Sequence, residues 1–463
     1  MNRKRILAAI LAMAIAIPAA AQSASMKLPK YESVTLGNGM RLLLMEKRDV
    51  PMIAFHARIA GGAIADPNGK EGTADLVAEL LQKGAGERDA LQFSAAADSV
   101  GATFGTASTR ESLVVTGEFL ARDQKLMLEL LADALRRPRF EASELEKLRK
   151  RMIDGIAAAR ENQPDAVIDN YFDAFLFGTH PYGRSASETS LAAVTRDDVA
   201  TWYPENAGAD RTILVFVGDF DSKSLAKDVK KAFGDWQKAA SPMPKLTAPA
   251  TRKGRRVLLV DKPDATQTYF RIGNIGIARK DPDSVAVDLV NTAFGGRFTS
   301  MLNSELRIRT GLTYGARCYV NRESVPGSVA MSSFTKTEST AEAIDLALAT
   351  LGRLHKGAID AATLSSVKAY VAGQYPPRLE TGNSLAAKLA EIEAFALGRG
   401  EVDEYGAKLA AVTGEGAKSV IERVYPKESD LTFVLIGNAA AIREAAGKYG
   451  EITERKITDA GWQ

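Results

Sequence analysis

Apolar and polar residues alternate over short stretches near the start of the chain. Tyr31 to Leu36 and Arg41 to Glu46 read as two strands joined by Gly37-Asn38-Gly39, residues that tolerate positive φ and close a hairpin. A third strand is predicted over Met52 to Ala60, ahead of the pair Gly61-Gly62. The pattern then takes the longer period of helices, most clearly over Ala142 to Asn162 and Ala341 to Leu354. Strands bracketing runs of helices predict an α+β fold, with helices packed on one face of a mainly antiparallel sheet.

The pattern occurs twice. Leu191-Ala192-Ala193-Val194-Thr195 returns as Leu409-Ala410-Ala411-Val412-Thr413, and each copy leads to a Tyr-Pro pair, Tyr203-Pro204 and Tyr425-Pro426. Each is followed by a buried strand closed by a turn residue, Thr212 to Asp219 and Leu431 to Asn438. Three matches in one order indicate a duplicated unit of roughly 220 residues, a period suited to tandem domains and too long for a solenoid. Residues 238–254, with Pro242, Pro244 and Pro249, read as an extended linker between lobes spanning 22–237 and 255–463.

Composition narrows the function. The 463 residues, 46% hydrophobic and 25% charged, suffice for more than one core. Residues 1–21 read as a signal peptide: Arg3, Lys4 and Arg5, an apolar run from Ile6 to Ile17, then Ala19-Ala20-Ala21 ahead of Gln22. The run is shorter than the ~20 residues a spanning helix needs, so cleavage and a periplasmic location are expected, with no membrane span afterwards. Those three cations account for the whole excess of 60 basic over 57 acidic residues, which argues against a nucleic-acid partner. Cys318 is the one cysteine, so no internal disulfide is available. The three histidines, His56, His180 and His355, are too far apart in sequence to form a local ligand pair.

The segment from Asp66 to Gly84 carries the most specific signal. A loop with a Thr73 cap leads into a helix predicted over Asp75 to Gly84. With Gly72, Ala74, Lys83 and Gly84 it resembles the active-site segment of the pitrilysin family, which includes insulin-degrading enzymes and mitochondrial processing peptidases. The family motif has histidines at i and i+4 that bind zinc and a Glu at i+3 that activates the bound water. Here the histidine positions hold Asp75 and Glu79, and the Glu position holds Ala78. The third-ligand position falls at Asp154 or Gly155, and Gly155 is the better register. The resemblance therefore implies no metal in this chain. A hard cation held by Asp75, Glu79 and Asp154 is the other chemistry those carboxylates allow.

The second copy keeps a different part of the motif. Phe294-Gly295-Gly296-Arg297-Phe298 and the run through Arg309-Thr310-Gly311-Leu312-Thr313-Tyr314-Gly315 resemble the family segment whose Arg and Tyr reach into the catalytic chamber. The resemblance assigns these roles to Arg307, which would hold substrate backbone or a carboxylate, and Tyr314, which would donate to the oxyanion. Gly295-Gly296 lacks the Lys-Ser/Thr of a phosphate loop. His180, before Pro181, reads as a loop-ordering residue. Together these features predict the Arg/Tyr subunit of a periplasmic heterodimeric peptidase. A homologous partner would bring the zinc, and peptides would add along a sheet edge. The alternatives are a scaffolding subunit without a catalytic role and a self-sufficient peptidase with an unorthodox site.

Overall fold

The alternating segments build two six-stranded sheets. In the computed structural model, which describes residues 26–462, the first sheet contains β1 (Glu32–Thr35), β2 (Arg41–Glu46), β3 (Met52–Ala60), β4 (Thr103–Ser108), β5 (Ser112–Leu120) and β6 (Thr212–Gly218). The second contains β7 (Arg256–Asp261), β8 (Gln267–Ile275), β9 (Ala316–Arg322), β10 (Pro326–Lys336), β11 (Thr432–Gly437) and β12 (Glu451–Lys456). The segment read as a signal peptide lies outside the described residues.

Strand order is β4-β5-β3-β6-β2-β1 in one sheet and β9-β10-β8-β11-β7-β12 in the other. Five strands thus recur in the same order, and only the outermost strand beside β2 or β7 differs in origin. Pairing is mainly antiparallel; β2 with β6, and β7 with both β11 and β12, are parallel. The repeated Leu-Ala-Ala-Val-Thr has a local cause. Thr195 accepts from the Asp198 amide and Thr413 from the Gly416 amide, each capping the helix that leads to the central strand.

The helices used below are α1 (Thr73–Leu80), α2 (Ala142–Asn162), α3 (Pro164–Phe177), α4 (Arg196–Asn206), α5 (Ser284–Asn291), α6 (Gly382–Ala394) and α7 (Gly414–Val424). On β3, Ile53, Phe55, Ala57 and Ile59 enter the core shared with the lobe's own helices, among them α1. The opposite face of that sheet is covered from the other lobe. Leu43, Met45, Ile213, Val215 and Val217 pack against Leu385, Leu389 and Ile392 of α6. The reciprocal contact places Val167, Ile168, Tyr171 and Phe172 of α3, in the first lobe, against Leu258, Val260, Val434 and Ile436 of the second sheet. The two exchanged helices occupy equivalent places in the repeat, starting at Pro164 and Gly382.

Where α6 leaves β3 the interface becomes polar. The Arg58 guanidinium lies 5.3 Å from the Phe395 ring centroid, beside a cavity of about 570 Å³ that also meets His56, Glu323 and Lys388. Burial, reinforced by the Glu111 carboxylate, pushes Glu323 up to about 7, whereas burial and the Arg58 charge push His56 down to about 4. Between pH 4.5 and about 7 the folded chain holds a proton at Glu323 that the unfolded chain has released, so that contribution to stability falls as pH rises. His56 acts in the opposite sense between about 4 and 6.5.

Two outcomes are expected. Leu389→Ala should cost about 2–5 kcal/mol in urea unfolding, because Leu389 is fully buried between the lobes. Glu323→Gln should gain stability relative to the parent chain as pH rises from about 5 to about 7, read as the difference in Tm.

Candidate functional site

Helix α1 is set by a carboxylate cap that the sequence reading missed. Thr73 is not the cap: its hydroxyl donates to the Lys70 carbonyl, and Asp66 instead accepts from the Gly72 and Ala74 amides, both at 2.8 Å. Gly72 sits at φ +99°, and a Cβ there would come within 2.7 Å of Leu191, the first residue of the repeated motif. The helix stops at Leu80, short of the predicted Gly84, because Gly84 turns at φ +107° into a short pairing with Asp89. Three of the motif's retained residues, Gly72, Ala74 and Gly84, therefore answer to backbone and packing needs.

The positions between them do not fit zinc. Glu79 is paired with Arg151 of α2 at 3.2 Å, which places a cation beside it. Asp75 is pushed up by burial and by the Glu79 carboxylate, against a hydrogen bond from Ser108. Ala78 is fully buried in the core. Gly155 lies on an open helix surface, and Asp154 is turned to Lys150 at 2.9 Å. Among the described residues, no group of three or more His, Cys, Asp or Glu is spaced to hold a metal ion. The histidines lie elsewhere. His56 faces the lobe interface, His355 contacts the Pro426 carbonyl, and His180 orders its loop against Tyr182 and the Thr247 carbonyl of the linker.

In the second lobe the structure brings the proposed pair together. Arg307 lies in a π-helical turn, Ser304–Arg309, and Tyr314 in the loop just ahead of β9. The guanidinium carbon is 4.3 Å from the Tyr314 ring centroid and 4.8 Å from that of Phe298. Both rings are well exposed, 75% for Tyr314 and 60% for Phe298. Glu305, the acidic residue of that turn, is committed to Arg309 and Arg353. Arg307 is thus held by two aromatic faces, an arrangement that fixes the cation while leaving its N–H donors without a carboxylate. The pair lines a cleft of about 850 Å³.

Residues 45–190 match the family profile described as insulinase, peptidase family M16, and residues 193–371 match the one described as peptidase M16 inactive domain. This chain belongs to the M16 peptidase family. Among M16 relatives, an uncharacterized zinc protease of Streptomyces coelicolor is 22% identical over 407 residues, covering 86% of this chain and 88% of that protein. A mitochondrial-processing peptidase subunit beta of Lentinula edodes is 24% identical over 284 residues, 60% of each chain. The solved structure of a peptidase M16 inactive domain from Pseudomonas fluorescens superposes with a TM-score of 0.82 at 22% identity, covering 88% of this chain and 98% of that one. The periplasmic protease PqqL of Escherichia coli gives 0.75 at 14% identity, over 89% of this chain and 46% of that one. These structures share the two-lobed M16 fold.

The two sheet edges nearest these segments differ. On β9 the Ala316 amide donates to Asn303 and the Cys318 carbonyl accepts from Asn291, at 3.2 and 3.0 Å. A second π-helical turn, Thr292–Gly296, closes over that edge, and a Cβ on Gly295 would lie 2.3 Å from the Cys318 nitrogen. On β4 no hydrogen bond from outside β5 reaches the backbone among the described residues. Its sequence Thr103-Phe104-Gly105-Thr106-Ala107-Ser108 has neither charge nor proline, the usual protections of an edge. By contrast β1 carries Glu32, and β12 carries Glu451, Glu454, Arg455 and Lys456.

Gly295 therefore closes the β9 edge and seats the strand that follows Tyr314. Gly295→Ala should cost about 1–3 kcal/mol of stability by overpacking. Gly315→Ala, beside Tyr314 but with open space at its Cβ, should cost far less; urea unfolding of the two variants compares them.

Proposed function

We propose that this chain is the Arg/Tyr-bearing subunit of a periplasmic M16 peptidase and that it works with a homologous, zinc-bearing partner. The observation that carries the reading is the contact of Arg307 with Tyr314 in the lining of an open cleft, neither side chain having a hydrogen-bond partner among the described residues. The α1 helix of the same chain has no imidazole, and Ala78 stands where the motif's general base would be. Among the described residues no hydrogen bond, ion pair or ring contact joins α1 to Arg307 or Tyr314. The pair is thus free to serve another chain's reaction.

In this reading Tyr314 donates its hydroxyl hydrogen to the oxyanion that forms as the scissile carbonyl is attacked, a charge largely absent from the bound substrate. Arg307, oriented by the two rings, donates to a substrate carbonyl or carboxylate. An extended peptide finds backbone partners at β4, whose outer backbone groups carry no hydrogen bond among the described residues, so recognition there depends on main-chain groups. The partner supplies the zinc and its chemistry. No described helix is long and apolar enough to cross a membrane.

The test is to purify the chain alone and together with a zinc-bearing homologue encoded beside it, and to follow cleavage of an unfolded peptide. The chain alone should be inactive and the pair active. Tyr314→Phe in this chain should lower kcat of the pair by about 10²-fold or more, the scale of losing one oxyanion donor. Turnover by the isolated chain, or a pair indifferent to Tyr314→Phe, would overturn the reading.

A further inference from the structure

The second-lobe cleft is electrically lopsided in a chain that is otherwise nearly balanced, with 60 basic and 57 acidic residues. Four arginines line it: Arg271, Arg297, Arg307 and Arg317. Among the described residues only Arg271 has a carboxylate partner, Asp169, through two bonds of 2.6 and 3.0 Å. Arg307 has aromatic faces alone. Arg297 gives one bond to the Ser366 hydroxyl at 3.1 Å and lies 5.9 Å from the Tyr370 ring centroid, and its Nε is buried without a partner. Arg317 is exposed on β9 and has no hydrogen-bond, ion-pair or ring partner among the described residues. Against these three cations the lining offers one carboxylate, Asp165 on α3.

Some arginines elsewhere are neutralised by carboxylates, as Arg279 is by Glu391 and Glu401 and Arg322 is by Asp288, and others, such as Arg252 and Arg256, are held by backbone carbonyls. What sets the cleft apart is that three arginines without a carboxylate partner among the described residues share one concave wall. Concave walls of low dielectric concentrate such a field, and a guanidinium presents two parallel N–H groups that match a carboxylate. Phe298, Tyr314 and Tyr370 supply exposed apolar faces beside the cations, able to cover the aliphatic stem of a bound side chain.

We propose that this cleft reads peptide carboxylates, and that Arg297 and Arg317, beside Arg307, give the peptidase a preference for acidic peptides. The proposal rests on the peptide-handling reading above and adds the substrate class. Arg307 lies between the two new residues in sequence and differs from them in role. It serves any peptide through the backbone, whereas Arg297 and Arg317 act only when an anionic group is present.

The test is peptide binding to the purified full chain, followed by fluorescence anisotropy. The probes are labelled, C-terminally amidated peptides of alternating Glu and Ala, and the same peptides with Gln for Glu. The Glu peptide should bind about tenfold tighter at low salt, with the margin shrinking at high salt. The double variant Arg297→Gln, Arg317→Gln should reduce the margin to about twofold or less while leaving binding of the Gln peptide unchanged. Arg297→Lys with Arg317→Lys should retain part of it, which guards against a folding defect, and Lys223→Gln on the opposite lobe should retain all of it. A Gln peptide with a free C-terminus distinguishes a terminal carboxylate from a side-chain one; tighter binding of either anionic form supports the proposal.

Equal binding of all three peptides, a margin that survives the double Gln variant, or tighter binding of a single-stranded oligonucleotide would overturn it. The two readings fail separately. Loss of the acidic preference with an intact Tyr314→Phe effect on the pair removes only the charge inference. An acidic preference with no Tyr314→Phe effect removes the catalytic role and leaves a carboxylate-binding cleft.

Discussion

Two strands, β6 and β11, are buried on both faces, and neither lobe has helices of its own to cover both. Each borrows from the other: α6 lies on the outer face of the first sheet and α3 on that of the second. Burying apolar side chains at roughly 25 cal/mol per Å² makes these two helices a large share of what joins the lobes. Everything in the site depends on that junction. The cleft around Arg307 is bordered by Asp165 and Ile168 of α3, a helix that belongs by sequence to the lobe without the Arg/Tyr pair.

Within this frame the two lobes differ in the side chains they carry at equivalent backbone positions. In the first, the glycine at position 72 and the alanine at 74 still fit a tight turn capped by Asp66, while the outward positions of α1 carry carboxylates, one of them paired with Arg151. In the second, the corresponding edge strand is sealed by the Thr292–Gly296 turn, and the space beside it has become an arginine-lined cleft. The edge that stays open in one lobe is closed in the other.

Much of this was legible in the sequence. β3 and α2 occupy the residues that periodicity assigned to them, and the duplicated motif corresponds to a capped helix and a doubly buried strand. The resemblance to the family segment marked Arg307 and Tyr314, which the fold brings into contact, guanidinium over ring. What could not be read was long-range. Apolar runs on both faces of β6 signal double burial but not which helix provides the second cover. Asp66 reaches α1 across a loop, so no cap spacing revealed it. The π-helical turns have no periodic signature over five or six residues, and the unpaired state of Arg297 and Arg317 depends on where every other carboxylate lies.

The exchange of α3 and α6 also says something about the unit that was duplicated. A single repeat folded alone would expose one face of its sheet and the apolar side of the helix it now lends to the other lobe, two surfaces that cover each other in the exchange. Such a unit would complete its core by docking on a copy of itself. The covalent linker makes that partnership permanent, so that the two halves need not be identical and can carry different chemistry.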